Sequence, residues 1–391
     1  MTQIIGIDGG NSTIITALEG KEPLIIPTIL APYRNYDQGL EMMDMNKKSL
    51  KDSLDVEIIL NYNDVITRKE LGRFYVGNLA KEMEGVNVKE RAIGKVKAGD
   101  EILLICMLSS LAVAVCEANE TSQGEISQEI KIVTGLPFLQ YKSGKEEFIK
   151  QFSGHHKIII KGNYNIEVVL DITDVNVEIE GVGALNKTLL NNSDHMFKDE
   201  ELIDRTVLGI EIGEFTSDII ALTFKEDDYG KIFPEYKQKL CMGIDMGIAG
   251  AKQPVIDLLR EKYNTIVDRF DIDSVLKRKL RKGEIDLEAG ETFNIIGLFE
   301  ENLLQLSNTI STLINNKVKS CSEKGKIKYV LLYGGGVCVL DCKMGKFLNE
   351  KIQEVIGGKC IVIEKANVVN ALGYLEKAKI LYGDVKEQHV I

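Results

Sequence analysis

Ile4-Ile5-Gly6-Ile7-Asp8-Gly9-Gly10-Asn11-Ser12-Thr13 stands near the start of the chain. Val207-Leu208-Gly209-Ile210-Glu211-Ile212-Gly213-Glu214-Phe215-Thr216-Ser217-Asp218 stands about two hundred residues later. Each is an apolar strand, then an acid, then a glycine-containing turn with hydroxyl side chains, then more apolar strand. That order suits a metal-bound polyphosphate. Glycine lets the backbone approach an anion, the turn's N–H groups point at phosphate, and a strand-end carboxylate holds a water of Mg²⁺. An Asp-Gly turn alone is a common hairpin connection, so the weight rests on the repeat. Two such hairpins predict two related α/β domains that clamp one nucleotide between them.

Length and composition agree with that division. A chain of 391 residues is long for one core and comfortable for two. With 44% hydrophobic and 27% charged residues it reads as a soluble globular protein. The net charge of −11 argues against direct nucleic-acid binding, because no surplus of cations exists to neutralise phosphates. The basic run Lys277-Arg278-Lys279-Leu280-Arg281-Lys282 reads as a solvated helix face.

The seven cysteines are scattered, and none forms a Cys-x-x-Cys pair. Cys338 and Cys342 lie four apart, with no histidine or second pair nearby, so zinc is not expected. Free thiols fit a reducing cytoplasm. Asp8 interrupts the first apolar run, which excludes a signal peptide there. Ile102–Val115 is the most apolar stretch. It is too short for a membrane span and reads as a buried helix, with Asp100 as N-cap and Glu101 in the first turn. The richness in Lys, Ile and Asn points to an AT-rich bacterial genome. A bacterial cytoplasmic protein that touches no membrane is therefore expected.

Strands are predicted at Gln3–Ile7 and Ile14–Leu18, flanking the first turn, and at Val56–Leu60 and Arg73–Val76 within a mixed polar segment, 33–95. The buried helix 100–118, a Ser/Gln/Glu linker and a strand at Ile130–Thr134 follow. A helix at 144–153 precedes a hairpin of Ile158–Ile160 and Ile166–Leu170 around Gly162-Asn163, then a separate strand at 175–179. The polar stretch Asn191–Asp204 reads as the domain boundary. The second half repeats the order, with a hairpin around 207–224 and helices near 247–262, 273–281 and 290–319. A strand at Lys328–Tyr333 and a last helix over Val368–Leu381 complete it.

Three further features carry chemistry. Gly334-Gly335-Gly336 follows an apolar strand and permits a tight strand-to-helix turn whose backbone can lie against a flat ring or ribose. Its spacing is not that of a dinucleotide fingerprint. Glu180 sits where a strand breaks into Gly181-Val182-Gly183-Ala184; it is either an acid that orients a water or a surface strand-end glutamate. His155, His156, His195 and His389 lie in polar stretches, and neither G-x-S-x-G nor a P-loop occurs, so nucleophilic and Walker-type chemistries have no support.

On these residues the chain resembles the actin-like ATPase superfamily, and within it the bacterial plasmid-segregation ParM/StbA type of filament protein. The superfamily order is phosphate hairpin, connecting segment, second phosphate hairpin, adenosine loop, second connecting segment. It falls here on Ile7–Thr13, Ile132–Ala184, Leu208–Asp218, Leu331–Val337 and Asn367–Gly373. Asp8, Gly10 and Asn11, the Gly135-Leu136-Pro137 segment and the Glu180 turn ending in Gly183-Ala184 resemble the ParM group.

The resemblance implies an α/β fold of two duplicated actin-like, ribonuclease H-like domains with a nucleotide cleft. Domain I would be 1–195, with about 33–95 inserted, domain II 196–365, and 366–391 a helix returning toward domain I. It implies a catalytic set of Glu180, Glu211 and Asp8, in which Asp8 and Glu211 hold Mg²⁺ through water and Glu180 positions the attacking water. Gly9, Gly10, Asn11, Ser12 and Thr13, with Gly213, Glu214, Phe215 and Thr216, would bind phosphates. Gly334, Gly335 and Gly336 would hold the adenosine side. The implied activity is hydrolysis of ATP, with GTP possible, coupled to filament turnover. The implied partners are further copies of the chain and a DNA-binding adaptor of ParR type.

Two departures stand out. Many relatives carry Lys seven residues after the first Asp, where this chain has Ile15, and Asp in place of Glu211. A shift of about 1 Å from the longer acid can cost roughly a hundredfold in rate. Two other functions fit the same clamp: a small-molecule kinase of the sugar-kinase branch, with Asp218 deprotonating an alcohol, and a non-catalytic scaffold.

Overall fold

Local sequence decides the first strand. β1 (Gln3–Gly9) alternates so that Ile5 and Ile7 are buried, and it returns through a short turn as antiparallel β2 (Thr13–Ala17). The structure, a computed structural model, describes residues 2–34, 49–83, 87–92, 94–162, 164–189, 200–226, 232–288, 290–321, 324–356 and 358–383. The chain divides into two compact units. One comprises the described residues of Met1–Gly183 and Asn370–Ile391; the other is Ala184–Val369. The division falls earlier than the polar stretch 191–204 read as a boundary, most of which lies outside the described residues.

In the first unit β1 and β2 join β3 (Leu24–Pro27), β4 (Ile29–Pro32), β5 (Leu54–Leu60), β6 (Lys69–Val76) and β7 (Lys89–Glu90). β8 (Gly124–Leu136), β9 (Gly154–Ile160) and β10 (Ile166–Ile179) complete the sheet. Its order is β3-β2-β1-β8-β10-β9-β5-β6-β4-β7. β1, β8 and β10 run parallel, and the remaining neighbours are antiparallel. The described strands of 54–90, read as an insertion, thus extend this unit's own sheet beyond β9.

Two expectations are corrected here. The Ser/Gln/Glu linker is the first part of β8, because Gly124–Glu129 finds a partner in Ile166–Asp171 of β10; tertiary pairing overrides weak strand propensity. The two strands expected in 166–179 are one. A register shift between Ile172 and Asp174 leaves Thr173 as a bulge and lets both halves pair with β8. Asn163 of the predicted hairpin turn lies outside the described residues.

α1 (Asn78–Glu82) is short, whereas α2 (Glu101–Ala118) is a core element. Asp100 caps it by accepting from the Leu103 N–H at 3.0 Å. Its length and composition would suffice to cross a membrane, but every residue from Leu103 to Cys116 is buried within the unit. Ser109 is satisfied by the Ile105 carbonyl at 2.7 Å and Ser110 by the Thr16 hydroxyl at 2.7 Å. Truncating a side chain such as Leu108 to Ala would cost about 2–5 kcal/mol. α3 (Phe138–Phe152) buries Phe148 and Phe152 edge to face.

The closing helix (Val369–Tyr382) crosses β1 with no side chain between the backbones. A Cβ on Gly6 would lie 2.3 Å from the Ala371 carbonyl oxygen, and one on Gly373 would lie 1.9 Å from that of Gly183. Only glycines permit this approach.

The second unit begins within α4 (Val182–Leu189) and repeats the plan. β11 (Thr206–Ile212), β12 (Ser217–Glu226), β13 (Ile232–Tyr236) and β14 (Met242–Ile244) precede β15 (Glu284–Asp286), β16 (Thr292–Asn294), β17 (Ile327–Tyr333) and β18 (Lys359–Val362). The sheet order is β13-β12-β11-β17-β18, with β14 on β12. β11, β17 and β18 are parallel, while β12 and β13 are antiparallel to their neighbours. The run β3-β2-β1-β8-β10 has the same sequence of directions, which is the duplication the two hairpins announce.

α5 (Ala249–Tyr263), α6 (Arg269–Lys277) and α7 (Ile296–Ser320) match predicted helices, although the small β15–β16 hairpin occupies the predicted start of the last. α8 (Val339–Ile356) is the helix into which the triple-glycine turn leads, and the sequence reading gave it no bounds. Leu340, Asp341 and Cys342 have φ of 52°, 56° and 62°, so no ordinary cap announces it. The basic run is not a helix face. α6 ends at Lys277, Arg278 turns extended, Arg281 pairs with Glu284 and Asp286, and Lys282 pairs with Asp341.

Candidate functional site

The two hairpins close their turns in the same way. The Gly10 N–H donates to the Thr13 carbonyl at 3.0 Å, and the Gly213 N–H donates to the Thr216 carbonyl at 2.9 Å. In each case the acid stands two residues before the donor. Its cross-strand partner is the residue seven positions on: Asp8 faces Ile15, and Glu211 faces Asp218. Equivalent positions thus hold an isoleucine in one unit and a second carboxylate in the other.

In the first unit the turn is tied down from several sides. The Thr28 N–H donates to the Ser12 carbonyl at 2.8 Å, and its hydroxyl donates to the Gly10 carbonyl at 2.9 Å. Asn11 accepts through Oδ1 from Arg91, whose side chain is wholly buried. The same guanidinium donates to Asp100 Oδ2 at 2.9 Å and to the Lys95 and Val96 carbonyls. One arginine therefore links the Gly10–Thr13 turn, the cap of α2 and the loop before it. A planar fork with five donors suits such a junction.

Glu180 is held by Lys97. The Lys97 ammonium donates to Glu180 Oε1, and both side chains are almost fully buried. Glu180 is thus not a surface strand-end residue; its backbone N–H is also held by the Leu136 carbonyl at 2.8 Å. Burial raises the Asp8 carboxyl above the usual range, while the Lys97 charge and a hydrogen bond from Asn370 on the closing helix oppose that shift. Among the described residues no group of three or more His, Cys, Asp or Glu side chains could cage a metal. A single carboxylate such as Asp8 could hold Mg²⁺ through water where phosphates complete the shell.

In the second unit the turn packs on the start of α5. The Ile248 N–H donates to the Gly213 carbonyl at 3.1 Å and the Ala249 N–H to the Glu214 carbonyl at 2.8 Å. The Glu214 carboxylate turns to Lys252, 3.0 Å from each oxygen, and Lys252 also meets Asp273 at 2.8 Å. Arg269 stacks over the Phe215 ring at 4.3 Å. The Glu214 side chain therefore anchors the turn. Gly213 and Thr216 supply its backbone closure.

The triple glycine lies against the end of β11. Gly334, at φ 95°, donates to the Ala366 carbonyl at 2.9 Å, and a Cβ there would lie 2.5 Å from the Ile212 oxygen. Gly336 is packed on Ile212 and Ile248, whereas Gly335 faces open space. Of the three predicted positions, Gly335 is the one with room beside it for a ligand.

Sequence reasoning missed Arg91, Lys97, Asn370, Lys252 and Arg269. Arg91 and Lys97 stand in a polar loop without periodicity, and only the fold brings them to Asn11, Asp8 and Glu180. His155 and His156 lie in β9, with His156 buried, while His195 and His389 lie outside the described residues. All seven cysteines are free thiols.

Comparison with known proteins agrees with the duplicated plan. The family described as the actin like proteins N terminal domain matches residues 6–183. The fold is actin-like. A 15-stranded ParM filament from Clostridium botulinum is 20% identical, covering 97% of this chain and 99% of that one, at a TM-score of 0.68. The actin-like protein Alp7A is 18% identical, covering 97% of each chain, at 0.69. Bacillus thuringiensis ParM with ADP is 17% identical, covering 97% and 99%, at 0.64. No curated protein sequence matches the chain.

Proposed function

We propose that this actin-like chain is a nucleotide-dependent polymerising protein of the bacterial cytoplasm, binding ATP or GTP with Mg²⁺ and hydrolysing it as filaments turn over. An adaptor of ParR type would connect the filaments to plasmid DNA. The observation that carries the reading is the pair of equivalent turns, Gly10–Thr13 and Gly213–Thr216, each two residues beyond a carboxylate. The related filament and the ADP complex support it by analogy of fold.

In this reading Asp8 and Glu211 hold waters of the Mg²⁺ shell, and the turn N–H groups of both hairpins receive phosphate oxygens. The metal neutralises phosphate charge when bound. Glu180 orients the attacking water and takes its proton, a role that contributes about 10²–10⁴ in rate. Gly335 lies against the nucleoside. Hydrolysis in the filament then changes what the two hairpins hold, and contacts between copies weaken.

The test is sedimentation and phosphate release at micromolar protein with Mg²⁺ and either ATP or GTP. Assembly on nucleotide addition, followed by phosphate release and disassembly, is expected. A chain that stays monomeric and phosphorylates a small alcohol would show the kinase reading to be right. Assembly without phosphate release would show the scaffold reading to be right.

A further inference from the structure

Lys97 is a buried ammonium that the hydrolytic scheme leaves unused. Its side chain is 6% exposed, and it is held by Glu180, the one residue given the task of activating water. The ammonium occupies Oε1, an oxygen that a water would otherwise reach. The Glu180 seen here is therefore masked.

The position that faces Asp8 across the first hairpin is Ile15, which is buried and brings no charge to the phosphates. Lys97 reaches the same neighbourhood from another element, since Arg91 binds both Asn11 of that turn and the carbonyls of Lys95 and Val96, the residues just before Lys97. Its backbone is fixed, and its ammonium sits at the end of a four-carbon stem that can re-aim it between nearby partners. The Lys97 N–H donates to Gln140 Oε1 at 2.9 Å, and Gly99 in the same loop donates to Gln151 Oε1 at 2.8 Å.

We propose that Lys97 is the terminal-phosphate contact of the first unit, and that it exchanges partners. Without a triphosphate it holds Glu180. When a triphosphate binds, the ammonium moves to the more highly charged terminal phosphate, and the released Glu180 carboxylate accepts a water. A diphosphate offers no terminal group at that place, so the pair re-forms after hydrolysis. The inference rests on the nucleotide reading above and names the cation that makes the site selective for a triphosphate.

The test compares Glu180→Gln with Lys97→Met/Glu180→Gln. Both lack the glutamate charge and differ only at Lys97. Removing both partners of a buried pair is often nearly neutral for folding, so the double variant avoids an unpaired buried charge. Affinities for a β,γ-imido triphosphate and for the diphosphate are measured by calorimetry. Glu180→Gln should bind the triphosphate at least as tightly as wild type. The double variant should bind it about 10- to 100-fold more weakly than Glu180→Gln, with less than about threefold change for the diphosphate. Equal affinities in the two variants, or equal losses for both nucleotides, would overturn the assignment and leave Lys97 a static partner. A wild-type chain that binds neither nucleotide would overturn the proposed function, and partner exchange with it.

Discussion

Asn370, on the closing helix, hydrogen-bonds the Asp8 carboxylate at the end of β1. Residues from the two ends of the chain meet at the acid assigned to the metal shell. The bond opposes the burial that raises the Asp8 carboxyl. It also sits beside the crossing where Gly6 lets β1 touch Ala371 and Leu375. Asn370→Ala should therefore act on stability and on nucleotide binding together. Loss of one donor to a buried charged acceptor costs about 1–3 kcal/mol. Urea denaturation should show that loss, and Mg-nucleotide affinity should fall. Unchanged stability would mean that the helix docks through its apolar side alone.

Arg91 is the second joint of the first unit. Its guanidinium is shared among Asn11, Asp100 and two backbone carbonyls, with no exposure to water. Arg91→Met leaves buried Asp100 with only the more distant Lys95 ammonium, at 3.5 Å, a change that costs up to about 3–5 kcal/mol. Arg91→Lys should rescue little, since a single ammonium cannot reproduce the fork. Arg91→Met with Asp100→Asn should recover part of the loss. Chemical denaturation of the three variants checks the ordering, and equal stability of Arg91→Lys and wild type would contradict it.

The hairpins were legible because their signal is local: an acid, a glycine turn and hydroxyls within ten residues set the strand pairing. α2 was legible for a similar reason, with Asp100 capping an unbroken apolar run. Arg91, Lys97 and Asn370 were not, because topology brings them to Asp8, Asn11 and Glu180 from distant segments. β8 exceeded its predicted length because Gly124–Glu129 borrows its pairing from β10. The bounds of α8 were hidden by the left-handed residues at its start, which break the local pattern of a helix N-terminus.

His156 gives the first unit a pH-dependent stability. Its ring is buried. The Phe152 carbonyl accepts from Nε2–H at 3.0 Å, and Nδ1 accepts from the Asn61 N–H at 3.4 Å. Burial pushes its pKa below the ordinary value of 6.5, opposed by the Phe152 bond and reinforced by the neighbouring His155. The unfolded chain then binds more protons below about pH 6.5, so stability falls on acidification from there down to the folded pKa. The slope can reach about 1.4 kcal/mol per pH unit. Melting temperatures between pH 5 and 7.5 should show the fall in wild type and a flatter profile in His156→Asn. The same slope in both would assign the acid sensitivity to other groups.

Glu180→Ala separates assembly from hydrolysis. A residue that only activates water stabilises the transition state more than the bound nucleotide. The variant should therefore bind Mg-nucleotide and assemble, yet release phosphate about 10²–10⁴ times more slowly. Lys97 is left an unpaired buried ammonium, so the nucleotide-free variant should lose stability, while its charge still meets a triphosphate and binding should not weaken. Filaments of the variant should persist after those of the wild-type chain have disassembled, because the diphosphate state is reached slowly. Time-resolved sedimentation with a phosphate assay on the same samples reads both quantities. Phosphate release at the wild-type rate would remove Glu180 from the chemistry and leave it as the buried counter-ion of Lys97. Failure to bind nucleotide at all would instead mean that the acid, and not the lysine beside it, holds the first hairpin in its binding form.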